Sequence, residues 1–178
     1  RQMGVHDDFM RMVDIMYKDS TLQIKVNGHT GDKFHPTNAV AQGSPLSPYL
    51  YLLVIQTFIS LVNVAPDTRE IREEFGAIDG ISAPGRGGHG TQQLRILGFA
   101  DDIVCFLRDA DELPAFKRLL SVYERGSGAQ NSWEKTHGMR VGTLRDSTEL
   151  PAGWEEGKDI NTSDAAVRYL GIFLGCSE

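Results

Sequence analysis

Two adjacent aspartates, Asp101 and Asp102, lie between two apolar segments, 94–99 and 103–107, whose residues favour β-strands. Neighbouring side chains of an extended strand point to opposite faces, whereas a tight turn can bring both carboxylates toward one point. Two negative charges held close together repel each other unless a cation offsets them, and Mg²⁺ prefers carboxylate oxygens. The pair alone is more simply explained by a solvated turn that happens to contain two aspartates, but the apolar segments on both sides shift the interpretation toward a divalent-metal site at a hairpin tip.

The segment 42–48, Gln-Gly-Ser-Pro-Leu-Ser-Pro, has the composition of a rigid loop that starts a helix. Gly43 permits unusual backbone dihedrals or a close approach of a ligand, and Pro45 and Pro48 stiffen the segment. Gln42 offers both a hydrogen-bond donor and an acceptor. Such a loop at a helix N-terminus can receive a nucleotide or a template strand, or it can serve only as a helix entry.

Two further segments carry weaker signals. The segment 127–135 ends in Lys135, whose ammonium could reach a phosphate, although a solvated lysine is the simpler interpretation. The segment 168–175 contains Gly171 inside an apolar strand, which indicates a bulge or a close backbone neighbour. Taken alone, it is an ordinary core strand.

The elements that must position these residues follow from the apolar periodicity. Helical spacing predicts a helix over 5–17, and strict alternation predicts a strand over 22–26 that ends at the turn signal Asn27-Gly28. A second strand over 33–40 would complete a hairpin. The apolar run 49–64 predicts a buried helix that is too short and too polar to span a bilayer.

The rest of the chain mixes helices and strands without a βαβ rhythm, which predicts an α+β fold around an antiparallel sheet. Asp111 is a plausible cap for the amphipathic helix. The predicted elements are a short exposed helix over 67–75, a mobile loop or hairpin tip over 80–90, an amphipathic helix over 111–125 ended by 127–128, and strands over 139–141 and 167–174.

Composition sets broad limits. Hydrophobic residues make up 40% and charged residues 24% of the 178 residues, which suits a globular chain that buries a core. The formal net charge is −6, so the chain lacks the basic balance of a self-sufficient nucleic-acid binder. A nucleic-acid partner would require that the basic surface lie in other parts of a larger protein.

The two cysteines and the first residues bear on location. Cys105 and Cys176 are far apart and lack metal-ligand spacing, which favours buried thiols in a reducing compartment. The chain starts without a charged-then-apolar signal segment. We expect an intracellular protein, in the nucleus or cytoplasm, that is not secreted and does not enter a membrane.

Taken together and in this order, the four segments resemble the reverse transcriptase domain of non-LTR (LINE-type) retrotransposons. That family reads Q-G-x-P-L-S-P, F/Y-A-D-D, S-G-x-x-x-N-x-x-K and Y-L-G-x-x-x-G. The corresponding residues here are 42–48, 99–102, 127–135 and 169–175. The earlier stretch 3–28 also looks like the family, so the resemblance covers nearly the whole chain.

The resemblance implies an RNA-directed DNA polymerase that folds as a right hand. Residues 1–178 would form a partial reverse transcriptase domain, with most of the palm and part of the fingers, and an antiparallel sheet packed on helices. Residues 1–41 would supply a fingers/palm helix and hairpin, and 42–142 the palm with the active-site hairpin. Residues 143–178 would hold a polar loop and the hairpin strand that supports the primer.

The resemblance also assigns roles to particular residues. Asp101 and Asp102 would bind Mg²⁺, with Mn²⁺ as a substitute, and act with Lys135 in nucleotidyl transfer. The partners would be an RNA template, a DNA primer, deoxynucleoside triphosphates and the remainder of the polymerase. The nucleotide and template contacts would be Gln42, Gly43, Ser44, Pro45, Phe99 and Ala100, and the primer-supporting residues Tyr169, Leu170 and Gly171.

The sequence also departs from the family pattern. The family carries a further aspartate in a strand upstream of the segment that starts at Met3, so we expect weak metal binding and little activity from these residues alone. Ala41 stands where an arginine is common, and Thr136 where a serine is common. The segment 76–92 looks longer than is usual in the family.

Two other interpretations remain. A decayed or domesticated fragment could keep the fold and act only as a nucleic-acid or protein interaction module. Alternatively, the polymerase could belong to a group II intron, telomerase-like or viral RNA polymerase lineage. Viral RNA polymerases usually have glycine before the aspartate pair, where this chain has Ala100.

Overall fold

The structure is a computed structural model that forms two compact units, Arg1–Gln42 and Gly43–Glu178. The structure describes residues 4–36, 40, 43–85, 90–142, 151, 154, 160–161, 167–170 and 172–174.

The first unit contains helix α1 (Asp7–Tyr17). The His6 ring accepts a hydrogen bond from the Asp8 amide, and Asp7 and Asp8 occupy the first turn. Negative charge at this end is favourable because the helix dipole is positive there. The predicted helix over 5–17 is confirmed in type, and it begins two residues later.

A short hairpin follows, formed by β1 (Lys25–Val26) and β2 (His29–Thr30). The return strand begins at His29, directly after the Asn27-Gly28 turn, and not at residue 33 as predicted. Of the predicted range 33–40, residues 37–39 lie outside the described residues. Asn27 and Gly28 have φ of 49° and 85°, the combination whose twist matches that of paired strands. Beyond β2, the Gly31 amide donates to the Ile24 carbonyl (2.9 Å), and an isolated bridge joins Leu22 and Phe34.

The second unit begins with helix α2 (Ser47–Val64), which has proline in its first turn. Ile55, Phe58 and Val62 are buried, and their spacing places them on one face of the helix. The outer face stays exposed, with Tyr49 at 66% and Leu52 at 52%. The prediction of a buried helix therefore holds for one face only.

Together with the 3₁₀ turn Ala65–Asp67, α2 is long and apolar enough to cross a membrane when only length and composition are considered. On these two criteria, the prediction that the run is too short and too polar was wrong. The inner face of α2 packs in a core with residues from the helix Leu113–Ser127 and the strand Ile96–Phe99. This packing accounts for the apolar residues of that face.

Helices α3 (Arg69–Phe75) and α4 (Leu113–Ser127) complete the helical part. Asp111 does not cap α4 as predicted, because a 3₁₀ turn over Ala110–Glu112 precedes the helix and the Asp109 carboxylate caps that turn. Gly128, with φ of 72°, ends α4 as predicted. The buried core consists of Ile55, Phe58, Val62, Ala65, Ile78, Ile96, Ala115, Leu119 and Leu120.

The strands of the second unit pair in twos. Antiparallel hairpins are formed by β3 (Ile81–Pro84) with β4 (Thr91–Leu94), by β5 (Ile96–Phe99) with β6 (Asp102–Cys105), and by β9 (Val167–Tyr169) with β10 (Ile172–Leu174). β7 (Gly138–Met139) and β8 (Ile160–Asn161) pair in parallel. An α+β chain with small, mostly antiparallel sheets is thus confirmed, but the described strands do not join into one sheet.

Three predicted strands differ from the observed ones. The strand over 94–99 is split because the chain changes partner at Arg95, from β3 on one side to β6 on the other. The strand over 167–174 is a hairpin, with Leu170 at a positive φ in its turn. The strand over 139–141 lies at Gly138–Met139 instead.

A buried carboxylate joins three parts of the second unit. Glu112 is only 5% exposed, and its oxygens accept hydrogen bonds from the backbone amides of Asp79 (2.9 Å), Gly80 (3.4 Å) and Arg108 (2.9 Å). The Arg108 guanidinium lies 3.7 Å from the same carboxylate and also pairs with Asp79. Glu112 therefore ties the segment before β3 and the segment after β6 to the start of α4.

Cys105 lies on β6 as a free, partly buried thiol. Burial, and secondarily the charge of Glu112, raise the pKa of this thiol to about 12. Cys105 is therefore protonated at neutral pH. It was predicted to be a buried thiol and is partly buried. Cys176 lies outside the described residues.

Replacing Glu112 by alanine should lower the free energy of unfolding by about 3 kcal/mol, because three backbone amides lose a charged acceptor. Urea unfolding followed by circular dichroism measures the change. Glu74→Ala is the matched control, since Glu74 is exposed on α3 and its loss should change stability by about 0.5 kcal/mol or less. Equal unfolding midpoints for the two variants would contradict the role given to Glu112.

Candidate active site

The two aspartates lie at the tip of the β5–β6 hairpin. Phe99 pairs with Asp102, which leaves Ala100 and Asp101 as a two-residue turn. Ala100 has a φ of 52°, a left-handed conformation that is uncommon for a residue with a side chain. Asp101 and Asp102 are both exposed, and so are Phe99 and Ala100. The structure therefore presents this carboxylate pair to solvent on a short, tightly turned hairpin.

The hairpin is positioned by close packing of β5 against α2. Ile96 is buried in the core at the start of β5. At Gly98, an added Cβ would lie 3.0 Å from Cδ1 of Ile59, which is tighter than an ordinary contact. An alanine at position 98 would require the Ile59 side chain to shift by a few tenths of an ångström, so Gly98 marks the place where β5 lies closely against α2.

Two tyrosines from other elements lie within electrostatic range of the aspartates. Burial raises the pKa of Tyr51 on α2, with smaller contributions from Tyr123 and Asp101. Burial also raises the pKa of Tyr169 on β9, with a smaller contribution from Asp102. The hairpin tip is thus near both α2 and the β9–β10 hairpin. Sequence reasoning missed Tyr51, because its place in an apolar helix indicates only a core residue.

The loop before α2 holds the next group of predicted residues. Gly43 has a φ of 88°, and an added Cβ there would meet nothing within 4 Å, so this glycine is needed for its backbone conformation. The Ser44 hydroxyl accepts a hydrogen bond from the Leu46 amide (3.4 Å), and its carbonyl accepts one from Ser47 (3.2 Å). Gly43 and Pro45 are exposed at the entry to α2.

The segment that follows α4 is fastened by its own side chains. The Ser127 hydroxyl donates to the Tyr123 carbonyl (2.8 Å). The Asn131 amide donates to Glu124 (2.7 Å), and its side chain donates to the Thr136 hydroxyl (3.2 Å). These bonds give the serine and asparagine of the segment a structural role.

Lys135 ends the 3₁₀ turn Trp133–Lys135 and is exposed. Within the part of the chain that the structure describes, no ion pair or hydrogen bond joins its side chain to Asp101 or Asp102. The catalytic role predicted for Lys135 therefore stays a prediction.

Two of the predicted primer-supporting residues, Tyr169 and Leu170, fall on the β9–β10 hairpin. Tyr169 is partly buried, and Leu170 is exposed in the turn with a φ of 48°. Gln42 and Gly171, two of the predicted site residues, lie outside the described residues.

The donor set at the hairpin tip consists of two carboxylates. No group of three or more histidine, cysteine, aspartate or glutamate side chains that could hold a metal ion occurs among the described residues. Mg²⁺ usually keeps several waters and is held by one or two carboxylates together with substrate phosphates. The exposed pair suits such a shared, open site better than a closed structural one.

The packing of Gly98 on Ile59 can be tested by a double-mutant cycle. Ile59→Val removes the Cδ1 atom that an alanine at position 98 would meet, so Gly98→Ala should be better tolerated in that background by at least about 0.5 kcal/mol. Thermal unfolding of the four proteins gives the coupling. Ile55→Val is the control: it removes the same methyl group elsewhere on α2, so its effect on stability should simply add to that of Gly98→Ala. Additivity in both cycles would rule out the contact.

Comparison with known proteins agrees with the four motifs. Residues 3–174 match the family described as reverse transcriptase (RNA-dependent DNA polymerase). The chain is 24% identical over 170 residues to the 149 kDa protein of transposon TX1 from Xenopus laevis, covering 96% of this chain and 12% of that protein. It is 26% identical over 145 residues to the Pol polyprotein of the type-1 retrotransposable element R2 from Popillia japonica, covering 81% of this chain and 21% of that protein.

No solved structure shows a significant similarity to the chain. The chain spans about a fifth or less of the length of the two relatives, 12% and 21%. The resemblance to retrotransposon reverse transcriptases that the motifs predicted is confirmed, since the family match covers nearly the whole chain and both relatives are transposon proteins. The protein belongs to the reverse transcriptase (RNA-dependent DNA polymerase) family.

Proposed function

We propose that this chain supplies the nucleotide-joining site of an RNA-directed DNA polymerase and that Asp101 and Asp102 hold its Mg²⁺. The observation that carries the proposal is the exposed carboxylate pair at the tip of a two-residue hairpin turn. The hairpin lies on the helix that follows the Gly43 loop, so two of the family motifs flank one helix. From membership of the family we infer that the chain supplies most of the palm, with part of the fingers, of a right-hand polymerase.

The chemistry follows from the residues at the tip. Bound Mg²⁺ would supply a Lewis acid for the primer 3′-hydroxyl and neutralise charge on the nucleotide phosphates. Asp101 and Asp102 would fix the position of the bound cation. Phe99 and Ala100 precede the pair on the same exposed turn, where they would face the incoming nucleotide. Lys135 would have to approach the phosphates from its exposed 3₁₀ turn.

Other parts of the chain would contact the nucleic acid. The loop that contains Gly43, Ser44 and Pro45 would lie beside the template base, and the turn at Tyr169 and Leu170 would support the primer. The substrates would be an RNA template, a DNA primer and deoxynucleoside triphosphates. With a net charge of −6, the chain needs basic surface from other parts of a longer polymerase to hold the template.

Metal binding is the first test. Mg²⁺ or Mn²⁺ at ten times the dissociation constant should stabilise the chain by about 1.4 kcal/mol, because ligand binding to the folded state shifts the unfolding equilibrium. Asp101→Asn combined with Asp102→Asn should abolish this response in thermal unfolding.

The matched control for metal binding is Asp7→Asn with Asp8→Asn. This variant removes another adjacent aspartate pair, on α1, and should keep the full metal response. If the parent chain shows no response to either cation, the metal-site proposal fails and the chain is better explained as an interaction module.

Primer extension on an RNA template is the second test. A longer polymerase that contains this chain should lose activity by more than about 100-fold with Asp101→Asn, because even outer-shell changes commonly alter metal-dependent activity by 10–100-fold. The 178 residues alone should extend a primer little or not at all. Robust synthesis by the 178 residues alone would overturn this second expectation.

A further inference from the structure

The short turn that ends in Lys135 is held against α4 by an aromatic ring. Trp133 opens this 3₁₀ turn and packs against the buried core of the second unit. The Lys117 ammonium of α4 lies over the Trp133 ring, with Nζ 4.6 Å from the ring centroid. A cation over the face of an indole ring is attracted by the negative charge of that face. The ring is therefore held both by apolar contacts and by a charge on α4.

A second charged side chain of α4 holds the residues just before the turn. The Glu124 carboxylate accepts a hydrogen bond from the Asn131 amide (2.7 Å). Lys117 and Glu124 are seven positions apart, which places them on the same side of the helix. A cation and an anion on one face of α4 therefore fix two points of the segment 131–133.

Hydrogen bonds within the turn carry this attachment on to Lys135. The Lys135 amide donates to the Ser132 carbonyl (3.0 Å), and the Thr136 amide donates to the Trp133 carbonyl (3.1 Å). The Asn131 side chain donates to the Thr136 hydroxyl (3.2 Å), which in turn donates to the Ser132 carbonyl (3.0 Å). The backbone of Lys135 is thus fixed two residues from the ring that packs on α4.

The side chain of Lys135 is not used in this way. It is exposed, and within the ranges that the structure describes its ammonium makes no ion pair or hydrogen bond. A lysine ammonium on a flexible stem binds phosphate as a point charge. Because the backbone is fixed and the ammonium is not engaged, the position of the turn decides which phosphate the ammonium can reach.

We propose that Trp133 is a positioning residue for Lys135, because its packing on α4 sets where the Lys135 ammonium meets the phosphates of the incoming nucleotide. This inference rests on the proposed function. A displacement of about 1 Å in a group that acts on a substrate can cost as much as about 100-fold in rate. A loosened turn should therefore slow nucleotide addition while Asp101 and Asp102 stay in place.

A double-mutant cycle in a longer polymerase that contains this chain tests the inference, with the maximal rate of single-nucleotide addition measured in single turnovers. Trp133→Leu should slow addition about tenfold, and Lys135→Ala by at least about as much. The two changes together should slow it no more than Lys135→Ala alone, because the ring acts only through the lysine. Lys117→Met removes only the cation over the ring and should give a smaller loss, likewise absent in the Lys135→Ala background.

Trp154→Leu is the matched control. Trp154 is the other of the two tryptophans, and its amide donates to the Pro151 carbonyl, away from the turn, so the rate should stay at that of the parent. Losses that multiply in the cycle overturn the inference and leave Trp133 a structural residue. Lys135→Ala at the parent rate also overturns it, while a large loss with Asp101→Asn keeps the proposed function. Asp101→Asn at the parent rate overturns both.

Discussion

The buried carboxylate of Glu112 is the interaction on which the second unit depends. A charged group that is 5% exposed is strongly destabilising unless its oxygens are hydrogen-bonded. Here the backbone amides of Asp79 and Gly80, just before β3, and of Arg108, after β6, meet that need. The start of β3, the end of the segment after β6 and the start of α4 must therefore be arranged around one side chain. The base of the aspartate hairpin is fixed by this arrangement.

The same type of side chain serves opposite purposes at the two ends of that hairpin. At the base, the Glu112 carboxylate is enclosed and bonded by the protein itself. At the tip, Asp101 and Asp102 are exposed, and their mutual repulsion favours an external cation. Between the two ends, Gly98 lets β5 lie against α2. Because the base of the β5–β6 hairpin is fixed and β5 packs closely on α2, the two-residue turn holds its carboxylates in a defined place.

Local patterns in the sequence predicted the helices, the Asn27-Gly28 turn and the aspartate hairpin, because periodicity and turn chemistry act over a few residues. They did not predict the change of partner at Arg95 or the cap at Asp109, since both depend on which segments meet in space. Glu112 is invisible in the sequence, where a glutamate at a helix start indicates a solvated charge. The prediction of a site at Asp101 and Asp102 depended on the other three motifs, which follow the family order. The position of Tyr51 near this site was missed, because its spacing in an apolar helix indicates a core residue.

A polymerase must bind both a divalent cation and nucleic acid, and the acidic charge of this chain suits only the first. Holding a divalent cation needs concentrated negative charge, and the aspartate turn supplies it within contacts internal to the second unit. Holding a template and primer needs positive charge along the phosphate backbone, and a net charge of −6 does not supply it. The proposed chemistry is thus local to one hairpin and its helix, whereas nucleic-acid affinity has to be distributed over a larger protein. The relatives, of which this chain covers 12% and 21%, are large enough for such a division.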